Sequence, residues 1–332
     1  MELFGKDLSR DCALVAEIGV NHEGDIDKAC ALIAQAAASG ADAVKFQSFT
    51  PALYANASDT QRLQRLHTFA LCDNDHLTLK QCADANNIAF FSSAVTHDKV
   101  EFLASLCPAI KIASGDIDFP PTVIAAAQTA KPVILSTGLA TWEEIDAAVA
   151  LFGEYGNRDQ LILLQCTSGY PTPIKEAHVR VMQEIRTRYD VLVGYSNHVL
   201  GPYACYTAAA LGACIIEVHV TDNACDRDFR DHALSFEPHE LADLARGIRA
   251  VRAARGGKNK QRQASELGNF STIRKGLIAA HDLVQGQVLS QEDITFARVT
   301  NGIAAKDSES VLGKSLRRAI ASHMPILPKD IA

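Results

Sequence analysis

Along the first 255 residues, short apolar runs alternate with longer stretches whose apolar positions recur at helical spacing. The runs are Cys12–Gly19, Asp42–Ser48, Ile88–Ser92, Ala109–Ala113, Pro132–Ser136, Leu161–Thr167, Val191–Ser196 and Cys214–Val220. They are apolar without alternation, as strands covered on both faces are. Between most of them lie Ala- and Leu-rich segments, among them Ile26–Ser39, Asp75–Asn86, Pro121–Ala130, Trp142–Phe152 and Tyr203–Leu211. Asp25 or Asp27 can cap the first helix and Gly40 ends it, while Thr141 and Glu144 are spaced as a capping box. Strands alternating with helices predict a parallel sheet, and eight such units in about 240 residues predict a (β/α)8 barrel. The doubly wound alternative requires a Gly-x-Gly-x-x-Gly turn after its first strand, which Gly19-Val20-Asn21-His22-Glu23-Gly24 does not supply.

The texture changes after Arg255. Gly256–Gln263 (GGKNKQRQ) reads as a glycine-rich basic linker, and the chain beyond it has short β-like runs and turns, as in KGLIAAHDLVQGQVLS and KSLRRAIASHMPI. The expected organisation is a barrel over 1–255, a linker over 256–270 and a small domain over 271–332. A domain of about 60 residues is marginal alone, so it is expected to pack on the barrel or on a second subunit.

Composition narrows the functional classes. With 48% hydrophobic and 21% charged residues the chain has an ordinary globular make-up. A net charge of −7 and a pI of about 5.9 give no global basic field for nucleic acid or an anionic membrane. An anionic substrate must therefore be met locally. The nine cysteines include no Cys-x-x-Cys pair, and their odd number and placement in apolar runs suit free thiols in a reducing compartment. The N-terminal segment lacks the pattern of a signal peptide, and no apolar run reaches the roughly 18 residues of a membrane helix. The expected location is the cytoplasm.

Barrels of this kind place their chemistry at the C-terminal strand ends. In order these read Glu17; Lys45 and Gln47; Ser93; Lys111 and Ser114; Ser136; Gln165, Ser168 and Tyr170; Ser196, Asn197 and His198; Glu217 and His219. One polar residue at one strand end is ordinarily a residue leaving the core; a polar residue at every end converges on one rim. Lys45 and Lys111 stand inside apolar strands, where a lysine is costly unless it meets an anion. A structural ion pair, an anion site and a Schiff-base lysine all fit. Ser114-Gly115 and Ser136-Thr137-Gly138 offer hydroxyls and backbone N–H groups suited to phosphate, or are plain turns. His198 and His219 end adjacent strands, either as satisfied core histidines or as two ligands of one divalent metal. With two imidazoles in view, Mn2+ or Mg2+ is favoured over a closed zinc site.

Taken together, AEIGVNHEGD at 16–25, ADAVKFQSF at 41–49, KIASGD at 111–116, PVILSTG at 132–138, CTSGYPTP at 166–173, GYSNH at 194–198, EVHVTD at 217–222 and DHALSFEP at 231–238 resemble the N-acetylneuraminate (sialic acid) synthase family, which includes legionaminate and pseudaminate synthases. ARVTNG at 297–302 and VLGKSLRRAI at 311–320 resemble that family's C-terminal antifreeze-like (SAF) domain. The resemblance implies a transferase that condenses phosphoenolpyruvate with an N-acetylmannosamine-type 2-acetamido sugar, adds water and releases phosphate, giving a nine-carbon 2-keto acid. It implies that Lys45, Ser93, Lys111, Ser114, Ser136, Ser168 and Ser196 hold phosphoenolpyruvate, and that His198 and His219 bind Mn2+ or Mg2+. Glu17 would position or deprotonate reacting groups, while Gln47, Tyr170, Glu217 and Asp231 would contact the sugar or orient the site. Arg298 would reach the active site of a partner in a domain-swapped homodimer. Several positions depart from the family's usual residues: Ala94-Val95, Asp116, Ser168, Phe229-Arg230 and Lys275-Gly276, with a shorter segment over 50–71. Most of them lie on the sugar side, so a diacetamido-trideoxyhexose acceptor is the alternative. A Schiff-base pyruvate aldolase and a non-catalytic sugar-binding homologue are the more distant readings.

Overall fold

The computed structural model describes residues 1–225, 227 and 231–332. The chain divides into two compact units, Met1–Gly256 and Gly257–Ala332.

In the first unit eight parallel strands close into a barrel: β1 Ala13–Gly19, β2 Ala43–Ser48, β3 Ala89–Ala94, β4 Ile110–Ile112, β5 Val133–Ser136, β6 Leu161–Cys166, β7 Leu192–Asn197 and β8 Ile215–His219. Each pairs with its sequence neighbours, and β8 closes on β1 with Ile215 opposite Ala13 and His219 opposite Glu17. Every residue of β1, β4, β5, β6 and β8 is buried, which is why these runs read as continuously apolar. The connections carry helices α1 Ile26–Ala38, α2 Pro51–Tyr54, α3 Thr60–Phe69, α4 Asp73–Ala85, α5 Val100–Leu106, α6 Pro120–Gln128, α7 Trp142–Tyr155, α8 Val181–Tyr189, α9 Tyr203–Ala210 and α10 Pro238–Arg255. Asp25 caps α1 through the Lys28 N–H, and Thr141 and Glu144 complete their capping box on α7. The barrel and the expected strand boundaries agree to within one or two residues.

Two expectations are corrected. Cys30 on α1 and Cys82 on α4 are joined by a disulfide, with Cα atoms 5.8 Å apart. Their 52-residue separation conceals that α1 and α4 are adjacent in the helical ring. The described free thiols are Cys12, Cys107, Cys166, Cys205 and Cys214, all buried, with Cys72 and Cys225 exposed. The second half of the expected linker is helical: Ala264–Ile273 forms α11, started by a reciprocal Gln263–Glu266 cap.

In the second unit, β9 Lys275–Ala279 pairs antiparallel with β10 Ile294–Arg298 over a core that includes Leu277, Leu283, Leu316 and Ile326. Among the described residues no helix is long and apolar enough to cross a membrane. Phe229 and Arg230, two of the expected departures, lie outside the described residues.

Candidate active site

The C-terminal ends of the barrel strands open into a cavity of about 900 Å3. Glu17, Lys45, Gln47, Ser93, Lys111, Ser114, Ser136, Ser168, Tyr170, Ser196, His198, Glu217, His219 and Asp231 all line it. Arg298 ends β10 in the second unit with its side chain exposed. Gln165 and Asn197 are buried but turned to local backbone, at Ala177 O and Val199 O.

Register brings the charged groups together. Glu17, Lys45 and Glu217 occupy neighbouring strands, so their side chains rise on the inner face at similar heights. Lys45 Nζ lies 2.8 Å from Glu17 Oε2 and 3.5 Å from Glu217 Oε2, and donates to Ser93 Oγ at 3.0 Å. Gln47 Nε2 donates to Glu17 Oε1 at 3.2 Å, and Ser196 Oγ to Glu217 Oε1 at 3.0 Å. Lys111 is equally buried, yet its Nζ makes one hydrogen bond, to Ile112 O at 2.9 Å, and no ion pair among the described residues.

These surroundings divide the titrating groups. Burial alone would lower the Lys45 pKa, but Glu17 and Glu217 outweigh it and raise it. Burial lowers Lys111, which the more distant Glu217 offsets only in part. Glu17 is pushed up to about 7 by burial, against the pull of Lys45 and with the push of Glu217. Glu217 moves the other way despite its burial, because Lys45, Lys111 and Ser196 all favour its carboxylate. One carboxylate is thus firmly ionised and its neighbour exchanges its proton near neutrality.

The β4–β6 side of the rim is built from hydroxyls and backbone. Gly138 N–H donates to Ser114 Oγ at 3.0 Å. A Cβ on Gly138 would collide with Ser114 Oγ and Ser168 Oγ, so glycine is required for these groups to converge. Ser136 Oγ is buried there without a partner. Hydroxyls with spare donor capacity, one of them oriented by the Gly138 N–H, form a cradle for an oxyanion.

His198 and His219 stand with ring centroids 5.3 Å apart, and Tyr170 stacks on His198 at 4.2 Å. His198 Nδ1 faces Thr167 O at 2.9 Å, so that nitrogen carries a hydrogen, and in the neutral ring Nε2 keeps its lone pair. That is the tautomer a metal-ligating imidazole uses, and the two rings fit a divalent cation completed by substrate and water. Among the described residues no group of three or more His, Cys, Asp or Glu side chains is arranged to hold a metal.

The sequence reading missed part of the wall. Asp116 lines the cavity with its pKa raised to about 6, burial opposing Lys111. Cys166 also lines it, 3.7 Å from His198 Nδ1. Tyr54 comes from α2, and Arg62, Arg65, Leu66 and Phe69 from α3, within the segment expected to be short. The helical spacing of Leu63, Leu66 and Phe69 in α3 carried this signal, which the strand-end rule did not collect.

A model described as the NeuB family matches residues 32–260, and one described as the SAF domain matches residues 274–332. The chain is 38% identical over 318 residues to the N,N'-diacetyllegionaminic acid synthase of Campylobacter jejuni, covering 91% of this chain and 94% of that protein. It is 29% identical to the human N-acetylneuraminate-9-phosphate synthase, over 92% of this chain and 88% of that one. Among solved structures it resembles the N-acetylneuraminic acid synthetase of Leptospira borgpetersenii in complex with citrate, at 32% identity and a TM-score of 0.74, over 78% of this chain and 90% of that one.

Proposed function

The chain belongs to the NeuB family, with a C-terminal SAF domain, and from that premise we propose that it condenses phosphoenolpyruvate with a 2-acetamido sugar of the N-acetylmannosamine type. The observation that carries the reading is one cavity in which two buried lysines face a hydroxyl cradle beside a pair of imidazoles. The names of the relatives, synthases of legionaminic acid and N-acetylneuraminate 9-phosphate, support the same class.

In this scheme Lys111, with its charge unpaired by any described carboxylate, meets the substrate anion, and Lys45 with Ser93 supports it. Ser114, oriented by the Gly138 N–H, holds its remaining oxygens together with Ser136 and Ser168. A divalent metal, Mn2+ or Mg2+, held by His198 and His219 would supply Lewis-acid polarisation of the acceptor aldehyde. The enol carbon of phosphoenolpyruvate forms the new bond to the aldehyde carbon, whose oxygen takes a proton. Water adds to the oxocarbenium carbon left behind, and Glu17 accepts the proton that water releases. The tetrahedral intermediate then expels phosphate by C–O cleavage. Gln47 holds Glu17, while Tyr170, Glu217 and Asp231 face the sugar.

Phosphate release tests this, using Mn2+ with N-acetylmannosamine, its 6-phosphate and a 2,4-diacetamido-trideoxyhexose. Phosphate and a nine-carbon keto acid in equal amounts are expected with one of them, and no phosphate with any of them defeats the reading. His219→Ala is expected to abolish release with an unchanged circular dichroism spectrum; retained activity removes that residue from the site. The lowered Lys111 favours a second reading, a Schiff-base aldolase. Borohydride trapping with pyruvate separates the two, and no labelled lysine is expected. The domain-swapped homodimer is part of the proposal, with Arg298 serving a second copy. Sedimentation at twice 35.7 kDa supports it, and a monomer removes Arg298 from the scheme.

A further inference from the structure

Asp231 reaches the cavity from a loop that leaves β8 at His219 and returns to it. Phe236 N–H donates to His219 O at 2.8 Å, and Thr221 N–H to Phe236 O at 3.1 Å, so the loop ends are tied together. Among the described residues, part of the hold on the Asp231 backbone comes from the opposite end of the sequence, the turn between β1 and α1.

Two layers of contact join that turn to the loop. In the inner layer Asn21, fully buried, donates through Nδ2 to Val220 O at 2.9 Å and to Ser235 Oγ at 3.0 Å. Ser235 Oγ in turn donates to the carbonyl of Asp231 at 2.5 Å. In the outer layer Glu23 pairs with two cations, Lys28 Nζ at 2.6 Å and Arg227 Nη1 at 3.3 Å, and stands 3.4 Å from Nε2 of His232, whose pKa burial lowers. Arg227 also reaches Asp222 at 3.1 Å, and His232 Nδ1 meets Thr221 Oγ1 at 2.8 Å. His232 is completely buried and directly follows Asp231 in the chain.

A surface ion cluster would ordinarily count for little. This one differs in two respects. Glu23 holds a left-handed backbone angle, φ 56°, which a non-glycine residue adopts at a cost. Its partners lie about the residue that bears on the cavity, not on a free surface.

We infer that Glu23, together with Asn21, is a positioning residue for Asp231, so that the β1–α1 turn sets how the site holds its acceptor. The inference rests on the proposed reading of Asp231 as an acceptor contact. Glu23 is exposed enough to be changed without opening the core, and Glu23→Gln keeps its shape while removing the charge shared by Lys28 and Arg227.

The test combines kinetics with hydrogen exchange. Glu23→Gln is expected to raise the acceptor KM by about fivefold or more while the phosphoenolpyruvate KM stays within about twofold. In an Asp231→Asn background it is expected to add nothing, because both changes remove the same contact. The amides of Ser235 and Phe236 are expected to exchange faster in Glu23→Gln, while those of β6 keep their protection. Unchanged exchange at Ser235 and Phe236, or full additivity with Asp231→Asn, overturns the inference. If the wild type releases no phosphate with any acceptor, the functional reading fails, and the exchange measurement still decides whether Glu23 anchors the loop.

Discussion

Asp330 in the C-terminal unit and Glu17 in the barrel are almost equally buried, at 1% and 2% exposure, but their surroundings are opposite in kind. Asp330 is saturated: Arg318 donates through Nε at 2.6 Å and Nη2 at 3.1 Å, and Leu327 N–H donates at 3.0 Å. Asp293 in the same unit is treated alike, accepting from Ser290 N–H and Ser290 Oγ, each at 2.7 Å. Their donors come from nearby turns, so each carboxylate holds its own piece of chain. Glu17 shares Lys45 with Glu217 across three strands and faces an open cavity. A buried charge that is fully paired locally fixes structure; one that is partly paired, beside space, is available to a ligand.

The largest effect expected on this contrast is on activity. Lys45→Met leaves Glu17 and Glu217 facing each other without their cation, and phosphate release is expected to fall about a thousandfold. A fall below about tenfold would place Lys45 with the structural pairs instead. The next effect is on stability. Asp330→Asn leaves buried donors poorly matched and is expected to cost about 2 kcal/mol in denaturant unfolding of the C-terminal unit. No loss would mean that saturation there contributes nothing.

The smallest effect separates the two carboxylates by the sign of their pH dependence. The Arg318 hydrogen bonds lower the Asp330 pKa. Its stabilising contribution is therefore complete above the unfolded value of 3.8 and is lost as pH falls through the lower folded value. Glu17 is raised from 4.5 to about 7, so the folded barrel holds a proton that the unfolded chain releases. Barrel stability is therefore expected to decline as pH climbs between those values. Glu17→Gln should flatten that decline and Asp330→Asn the acid limb of the other unit; the same slope change in both variants would erase the distinction.

The barrel was legible because strands buried on both faces show as unbroken apolar runs, and helix punctuation such as Asp25 and the Thr141–Glu144 pair is local in sequence. The rim was legible for the same reason: Lys111 is the one charge in its run, and Lys45 the one charge in its run after the leading Asp42. What stayed hidden depends on proximity between distant segments. Nothing in the spacing of Cys30 and Cys82 reveals that α1 and α4 pack together. The inward face of α3, with Arg62 and Leu66, shows only once the helix is set over the cavity. The hold of Asn21 on Ser235 spans 214 residues. The helix at 264–273 was obscured by the basic, glycine-containing stretch before it.

Lys111 tests the central claim most directly, since it is a buried cation with one backbone hydrogen bond and a pKa lowered by burial. If it is kept for an anion and not for the fold, Lys111→Met removes a cost along with the binding. Thermal unfolding with and without phosphoenolpyruvate measures both. The account predicts that Lys111→Met melts at least about 2 °C above the wild type when free, and loses the rise in melting temperature that phosphoenolpyruvate gives the wild type. A variant that melts lower than the wild type and keeps that rise would contradict it.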